Sequence, residues 1–182
     1  MAIFKMMREL MLRRKEICDL QQRDWDPTSG CLTIRTSKTD QVGRGAAYTL
    51  SQETSDAVNA WCDASGLTDI SDEAEDGRMP LFAGVLKNGA LRRMKQSGIA
   101  PLAGKSVARM LDAHAQRAGI HGVSGHTVRR SIARQLQQAG AGDEDIVDAG
   151  RWTSVDVMRR YVGLAVTRRS AGDLLTRTLC AA

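Results

Sequence analysis

The chain has 182 residues, of which 42% are hydrophobic and 26% are charged, a size and balance typical of one globular domain. Its apolar runs stay below the roughly 18 residues of a membrane span, and no signal-peptide pattern follows Met1, so we expect a cytoplasmic protein. Its four cysteines lack the spacing of metal ligands, so we expect no metal. The net charge of +5 arises in residues 105–182, which carry 12 basic and 7 acidic side chains. This asymmetry favours a polyanion such as DNA as a partner, although a basic surface that binds nothing is also compatible with it.

The N-terminal part of the chain predicts a helix followed by a β-hairpin. Apolar residues recur at three- and four-residue intervals over 3–20, which indicates a helix. Residues 31–36 alternate between apolar and polar, and residues 46–50 can return beside them as a second strand. The polar segment 37–45 between them contains two glycines, as is typical of a hairpin tip. A helix over 51–65, capped by its first residue, is expected next.

The rest of the chain predicts mostly helices. The acidic segment 69–76 predicts a solvated loop. Helices are then expected at 106–117, 127–138, 143–149, 154–162 and 168–179. Thr153 and Asp156 have the spacing of a capping box for the helix over 154–162. Together these elements predict an α+β fold that is mainly helical with one small antiparallel β-sheet.

A pattern that fits phosphate binding begins at His126. His126 and Arg129 lie three residues apart at a predicted helix start, so they share one face and can hold a phosphate together. Taken alone, this pair also fits an ordinary surface arginine. Trp152 follows Arg129 by 23 residues, and Tyr161 follows Trp152 by nine. In this order and spacing, the run from Ser124 to Tyr161 resembles the second signature block of the tyrosine recombinase (phage integrase) family. The tryptophan resembles the Cre-like subgroup, in which it replaces a second histidine.

The resemblance extends to the N-terminal half of the chain. The family has an arginine three residues before a glutamate at the end of a helix, in a pattern like LRxxE, which Arg13 and Glu16 match. Arg14 is the adjacent alternative for this arginine. The family's catalytic lysine lies on a β-hairpin, which implies Lys38 at the predicted tip. Residues 82–89 also resemble the Cre-like subgroup.

The resemblance implies a clamp for a DNA phosphate. A phosphodiester gains negative charge in its pentacoordinate transition state, so fixed cations are the main requirement for its cleavage. Arg13 and Arg129 are implied to hold the non-bridging oxygens, with Glu16 supporting the first of them. Trp152 would donate its indole N–H to the same phosphate, since this side chain is a donor only and cannot act as a base.

The resemblance also implies a nucleophile and two groups that carry protons. Tyr161 would attack the phosphorus to form a 3′-phosphotyrosyl bond, with His126 accepting the phenolic proton. Lys38 would protonate the 5′-oxygen that leaves. Because the bond energy is kept in the phosphotyrosine, no ATP, metal or other cofactor is expected. The implied function is site-specific cleavage and rejoining of DNA, as in recombination and integration.

Contacts to DNA outside the cleavage site are implied less specifically. The predicted helix over 106–117 resembles the family's major-groove helix, which would bring Lys105 and Arg109 toward base edges. Phosphate contacts that carry no sequence information are expected from Arg130, Arg134 and Arg151. A charge that only faces solvent is the alternative for all of these residues.

The resemblance covers almost the whole chain, so residues 1–182 are expected to be a catalytic domain with the fold of DNA breaking–rejoining enzymes, without the family's N-terminal core-binding domain. Arg14 and Lys15 depart from the family, which has small residues there. Double-stranded DNA is the implied partner, on the nucleoid of a bacterial or phage-infected cell. Relatives form tetramers on paired sites through a C-terminal helix, here 168–179, and we expect mainly monomers without DNA.

The same residues are compatible with two other functions. A type IB topoisomerase uses nearly the same residues to relax supercoiled DNA. A DNA-binding remnant without catalysis is the other alternative. The complete set of candidate catalytic residues argues against a remnant, because a decayed gene would be expected to lose at least one of Arg13, Lys38, His126, Arg129, Trp152 and Tyr161.

Overall fold

The computed structural model describes residues 1–35, 45–67, 79–94 and 98–163. Its helices in these ranges are α1 (Ala2–Glu9), α2 (Arg14–Asp19), α3 (Gln52–Ser65), α4 (Gly104–Arg117), α5 (Gly125–Gln138), α6 (Asp143–Gly150) and α7 (Val155–Val162), with a short 3₁₀ helix at Gln22–Asp24. An antiparallel sheet has the strand order β1 (Trp25–Asp26), β2 (Cys31–Ile34), β3 (Ala46–Thr49). The predicted mainly helical α+β architecture with a small antiparallel sheet is confirmed.

The helix predicted over residues 3–20 is interrupted in the structure. α1 ends at Glu9 and α2 begins only at Arg14. Between them Met11 has a φ of 51°, in the left-handed region that side chains with a Cβ rarely adopt. Arg13 therefore lies at the N-terminal cap of α2 and not at the end of a helix, which corrects the expectation drawn from the resemblance. The break gives the chain a short segment whose carbonyl groups are free to bind side chains.

The hairpin of β2 and β3 has the predicted pairing. Cys31 lies opposite Thr49, and Ile34 lies opposite Ala46. Sequence alternation did not predict β1, whose two residues are too few to show a period. Three predicted features lie outside the described residues: the hairpin tip with Lys38, the acidic segment 69–76 and the helix over 168–179. No helix of the described ranges is long and apolar enough to cross a membrane.

Serine side chains begin two of the central helices. The hydroxyl of Ser51 accepts the N–H of the third residue of α3 at 3.4 Å, which confirms the predicted cap. Ser124 accepts in the same way at 3.2 Å for α5. α5 thus begins at Gly125, two residues earlier than predicted, and His126 lies in its first turn.

The start of α7 differs from the prediction. The predicted capping box of Thr153 with Asp156 is wrong, because α7 begins one residue later, at Val155. Ser154 has the extended backbone of a cap residue, and its hydroxyl accepts the N–H of Val157 at 3.3 Å. Two hydroxyl residues in succession made the choice between them ambiguous from sequence.

Two clusters of buried apolar side chains meet at the segment between α1 and α2. The larger cluster lies among α1, α2, α3, α4 and the sheet and includes Met6 and Leu12. The smaller cluster joins α5, α6 and α7 around Ile146 and includes Met11. Full burial of such a side chain contributes about 1.5–3 kcal/mol. Consecutive residues of one short segment therefore belong to different clusters, and the candidate site residues lie along the boundary between them.

Candidate active site

Arg13 and Glu16 hold each other at the start of α2. Arg13 donates its backbone N–H to Glu16 Oε2 at 2.8 Å and its Nη1 to Oε1 at 2.7 Å. Arg151, which follows α6, donates Nη2 to Glu16 Oε2 at 3.0 Å. Burial by itself would raise the pKa of Glu16, but the charge of Arg151 and the hydrogen bonds from Arg13 outweigh it and hold that pKa below its ordinary value. Glu16 is therefore ionised at neutral pH and fixes the Arg13 guanidinium.

Arg129 of α5 is the most deeply placed cation of the site, with only 2% of its surface exposed. Its guanidinium donates to the carbonyl oxygens of Met11 and Gly150, the latter at 2.5 Å, and its Cζ lies 4.7 Å from the ring centroid of Trp152. Burial and the charge of Arg13 lower the pKa of Arg129 to about 10, so the group remains charged at neutral pH. These two bonds use two of the five N–H groups that a guanidinium carries, and Arg129 also contributes to the lining of a basic cavity.

Tyr161 and His126 meet where α7 packs against the start of α5. The Tyr161 hydroxyl lies 2.5 Å from His126 Nδ1, so the ring nitrogen is within reach of the phenolic proton. The ring centroid of Trp152 lies 5.5 Å from that of Tyr161. Trp152 thus packs between the tyrosine and Arg129. The structure brings together five of the six predicted catalytic residues, while Lys38 is outside its described ranges.

Two further arginines of α5 hold the end of the helix that carries Tyr161. Arg130 donates Nε to the carbonyl of Tyr161 at 3.2 Å, and Arg134 donates Nε to the carbonyl of Val162 at 3.1 Å. Basic side chains at a helix C-terminus satisfy its unpaired carbonyls and interact favourably with its dipole. Both residues remain exposed, so this bond does not exclude the predicted phosphate contacts.

A basic cavity of about 500 Å³ opens next to the catalytic cluster. Its lining includes the basic or imidazole side chains of Arg13, Arg14, Lys15, Lys105, His126 and Arg129. Lys15 is paired with Asp19 at 2.6 Å. Arg14 is exposed and forms no hydrogen bond or ion pair with any residue that the structure describes. An anion that approached Arg129 from solvent through this cavity would pass a lining that is mostly positive.

The other residues predicted to contact DNA, namely Lys105, Arg109 and Arg151, lie in three different surroundings. Lys105 lines the basic cavity with the catalytic residues. Arg109 lies one turn further along α4 and lines an apolar groove with Phe4 of α1 instead. The side chain of Arg151 is only 9% exposed and is bound to Glu16, so a direct contact of Arg151 with a DNA phosphate is not expected from this structure.

The arrangement is suited to binding a phosphate and attacking it. The guanidinium groups of Arg13, Arg129 and Arg151 surround the single carboxylate of Glu16, which leaves two positive charges in excess. A phosphodiester carries one negative charge and approaches two in its pentacoordinate transition state, so an excess of this size is able to stabilise that charge. Within the described ranges, no group of three or more His, Cys, Asp or Glu side chains could hold a metal ion.

Sequence reasoning missed part of this site. It did not assign the carbonyls of Met11 and Gly150 to Arg129, since backbone acceptors carry no residue signature. It also placed Arg151 among surface phosphate contacts. One signal was present. Arg151 directly follows a helix, at the position where glycine is most common, and an arginine there indicates that its side chain makes a contact that offsets the backbone strain.

Comparisons with known proteins agree with this fold. The model of the phage integrase family matches residues 1–168. The chain is 28% identical over 163 residues to the recombinase Cre of Escherichia phage P1, covering 84% of this chain and 45% of that protein. Its fold is similar to that of the XerA recombinase, with a TM-score of 0.63 and 18% identity over 99% of this chain and 55% of that one.

Structures of recombinases on DNA have the same fold. The Tn1549 transposon integrase in complex with transposon right end DNA gives a TM-score of 0.63 at 11% identity, covering 100% of this chain and 58% of that one. XerH bound to difH substrate in a pre-cleavage complex gives 0.61 at 16% identity, covering 97% and 45%. The chain thus spans about half the length of the relatives it matches.

Proposed function

Because this chain belongs to the phage integrase family, we propose that it is the catalytic domain of a tyrosine recombinase that cuts and rejoins DNA at specific sites through Tyr161. One observation carries the proposal. The Tyr161 hydroxyl lies 2.5 Å from His126, in a cluster where Arg129 and Arg13 supply fixed positive charge. A nucleophile, a proton acceptor and a cationic clamp are the parts that phosphodiester cleavage without a metal requires.

The first chemical step follows from these positions. The Tyr161 oxygen attacks the phosphorus as His126 takes its proton, and a new phosphorus–oxygen bond forms at the 3′ side of the break. Arg13 and Arg129 stabilise the negative charge of the pentacoordinate phosphorus. The bond to the 5′-oxygen then breaks, and that oxygen takes a proton, which we assign to Lys38.

Rejoining is the same step in reverse. A 5′-hydroxyl of the same or another strand attacks the 3′-phosphotyrosine and gives its proton to Lys38, while Tyr161 leaves and takes back its proton from His126. One phosphodiester is exchanged for another of similar energy through a covalent intermediate, so the cycle needs no ATP.

Double-stranded DNA is the proposed substrate, and the cell's nucleoid is the proposed place of action. The basic cavity with Lys105 lies beside the catalytic cluster, where the strand flanking the cleaved phosphate would pass. The Tn1549 integrase and XerH were solved in complexes with DNA. We assign Lys105 to base edges, and Arg130 and Arg134 to phosphates, where each contact releases condensed counterions.

Covalent trapping tests the proposed nucleophile. A duplex selected by the protein from a random-sequence pool is given a nick close to the cleaved phosphate, so that the short fragment diffuses away and the adduct accumulates. Wild-type protein should form an adduct that survives denaturant, and Tyr161→Phe should form none. Tyr48→Phe is the matched control, because Tyr48 is the other tyrosine of the chain. An adduct with Tyr161→Phe would remove Tyr161 from this role.

The same protein separates the alternative functions. A type IB topoisomerase would relax a supercoiled plasmid regardless of sequence, whereas the proposed recombinase acts on plasmids that carry the selected site. A binding remnant would select a site and form no adduct on it.

We further propose assembly of four protomers on paired DNA sites through residues 168–179, and mainly monomers without DNA. An apolar groove of about 580 Å³ between α1, α3 and α4, with Phe4, Trp61 and Met110 in its wall, is a suitable acceptor for an apolar helix face of a neighbouring protomer. A head-to-tail contact of this kind can close into a ring. Deleting residues 168–182 should reduce assembly on DNA, seen as slower-migrating complexes, more than it reduces cleavage of one nicked site. Unchanged assembly, or loss of the fold, would contradict this.

A further inference from the structure

Arg151 has a backbone conformation that favours glycine. It follows α6 with φ 51° and ψ 53°. The N–H groups of Arg151 and Trp152 donate to the carbonyls of Asp148 and Val147 at 3.0 Å each, which is the Schellman pattern of a helix C-terminus. Glycine is the usual residue at this position, because a Cβ is strained there. The arginine is kept at the expense of this strain, so its side chain must contribute something that glycine cannot.

The side chain of Arg151 points into the catalytic cluster. Its surface is 9% exposed, and its Nη2 donates to the buried carboxylate of Glu16 at 3.0 Å. Its Cζ lies 5.7 Å from the ring centroid of Tyr48 on β3. The guanidinium therefore faces Glu16 and not the solvent-exposed surface that would meet DNA.

Arg151 contacts Arg13 as well, through its main chain. Arg13 Nη2 donates to the Arg151 carbonyl at 3.0 Å, while Arg13 Nη1 donates to Glu16 Oε1 at 2.7 Å. Arg13, Glu16 and Arg151 thus form a closed ring of hydrogen bonds. Arg13 donates to three oxygen atoms, of which two belong to the Glu16 carboxylate and one is the Arg151 carbonyl. The Glu16 carboxylate in turn accepts a hydrogen bond from Arg151 Nη2.

We propose that Arg151 is a positioning residue for the reaction: it fixes Glu16 and Arg13 before DNA binds, so that Arg13 needs no rearrangement when the phosphate arrives. The inference rests on the proposed cleavage by Tyr161. Arg151 acts on the transition state through Arg13 and does not touch the DNA. Its loss therefore slows cleavage at saturating DNA and leaves DNA affinity unchanged.

Two substitutions of equal backbone strain test the role of the charge. Arg151→Met keeps a long unbranched side chain without the guanidinium, and Arg151→Lys keeps the positive charge. With the nicked duplex at saturation, Arg151→Met should form the Tyr161 adduct about 10- to 100-fold more slowly, by analogy with the loss of residues that orient metal ligands. Arg151→Lys should recover part of the rate. The dissociation constant for DNA and its salt dependence should change less than about 2-fold in both.

Further variants separate positioning from folding. Arg151→Gly removes the strain together with the side chain and should remain slow although its backbone is relaxed. Arg159→Met is the control, since Arg159 lies on α7, is exposed and pairs with Asp143 away from the cluster. Thermal unfolding identifies variants that do not fold. If Arg151→Met is one of them, the rates of Arg151→Lys and Arg151→Gly decide.

The outcomes are distinguishable. A folded Arg151→Met or Arg151→Gly protein that cleaves at the wild-type rate overturns the inference. An unchanged rate at saturation with weaker binding and a smaller salt dependence would make Arg151 a phosphate contact, which also overturns it. A wild-type protein that forms no adduct refutes the proposed function instead.

Discussion

Replacing Gly150 by alanine should disturb the site through one added methyl group. Gly150 ends α6, and an ideal Cβ on it would lie 1.7 Å from Cζ3 and 2.1 Å from Cε3 of Trp152. Non-bonded carbon atoms pack at about 3.5–4.0 Å, so the indole would have to move by roughly 2 Å. Trp152 is 8% exposed and packs on Arg129 and Tyr161, which leaves it little room to move.

The magnitude follows from the contacts that this movement breaks. Overpacking a buried site costs about 1–3 kcal/mol. Loss of the contact between the Arg129 guanidinium and the indole face adds about 2 kcal/mol for a desolvated pair. Alanine is a better helix former than glycine by up to about 1 kcal/mol, which offsets part of the cost. We therefore expect Gly150→Ala to lower the free energy of unfolding by roughly 2–4 kcal/mol and the melting temperature by roughly 5–15 °C.

The rate of adduct formation should fall as well, because the role proposed for Trp152 is to donate its indole N–H to the phosphate, and a displaced indole would not reach it. Loss of one transition-state hydrogen-bond donor typically costs about 100-fold or more in rate. Adduct formation on the nicked duplex, measured at a temperature where the variant is folded, gives this number. Calorimetric or circular-dichroism melting gives the stability.

A matched control and a double variant make the reasoning refutable. Gly104→Ala adds the same methyl group at the start of α4, where no heavy atom lies within 4 Å of it, so its stability should be unchanged or slightly higher. In Gly150→Ala combined with Trp152→Ala the clash has no partner, so the pair should cost less than the sum of the single changes. A Gly150→Ala protein with wild-type stability, or strict additivity in the double variant, would show that the indole is not fixed where we describe it.

Three other perturbations have defined outcomes. Lys38→Ala should cleave slowly, and a 5′-phosphorothiolate, whose sulfur leaves without a proton, should restore much of the rate; no rescue would point to another proton donor. Adduct formation should persist in excess chelator, and a complete loss that magnesium reverses would indicate a different mechanism. The pKa of Glu16 is held below its ordinary value, so its contribution to stability is present at neutral pH and is lost as the pH falls through the folded-state pKa. Glu16→Gln should therefore be less stable than wild type in urea at about pH 7, with a smaller difference at about pH 3; a pH-independent difference would contradict the ion-pair account.

Local signals predicted the parts of the fold that local interactions determine. Ser51 predicts the start of α3, because a hydroxyl at that position accepts an N–H of the first turn. The alternation of apolar and polar residues over 31–34 predicts β2, because one face of the strand is buried. The run from His126 to Tyr161 was assigned from its resemblance to the family's signature block, and its residues come together because α5, α6 and α7 are short helices that pack on one another. Each signal is contained within a few consecutive residues or within one compact helical unit.

The break between α1 and α2 lacked such a signal. Apolar residues continue through it at helical intervals, since Met6, Met7, Met11 and Leu12 are all buried. The helical spacing of apolar residues continues because the segment between the helices also packs inward, with Leu10 and Leu12 in the same cluster as α1 and Met11 in the other. What stops the helix is distant in sequence: Arg129 and Arg151 both donate to the Met11 carbonyl. In an uninterrupted helix that carbonyl would accept the N–H of residue 15 instead.

Strained backbone therefore occurs where the site needs carbonyl acceptors. Within the described ranges, Met11 and Arg151 are the non-glycine residues with positive φ, and their carbonyls accept hydrogen bonds from Arg129 and Arg13 respectively. Each such residue costs about 1–3 kcal/mol and persists only when its surroundings hold it. Here the holding groups are the guanidiniums of Arg129 and Arg13, which we propose as the clamp for the phosphate. Because fixed carbonyls take up part of each guanidinium's donors, the remaining N–H groups keep one orientation without DNA, and little reorganisation is left for the moment of reaction. The backbone strain at Met11 and Arg151 is thus part of the cost of a preorganised clamp. The pattern of residue types along the chain does not predict this strain.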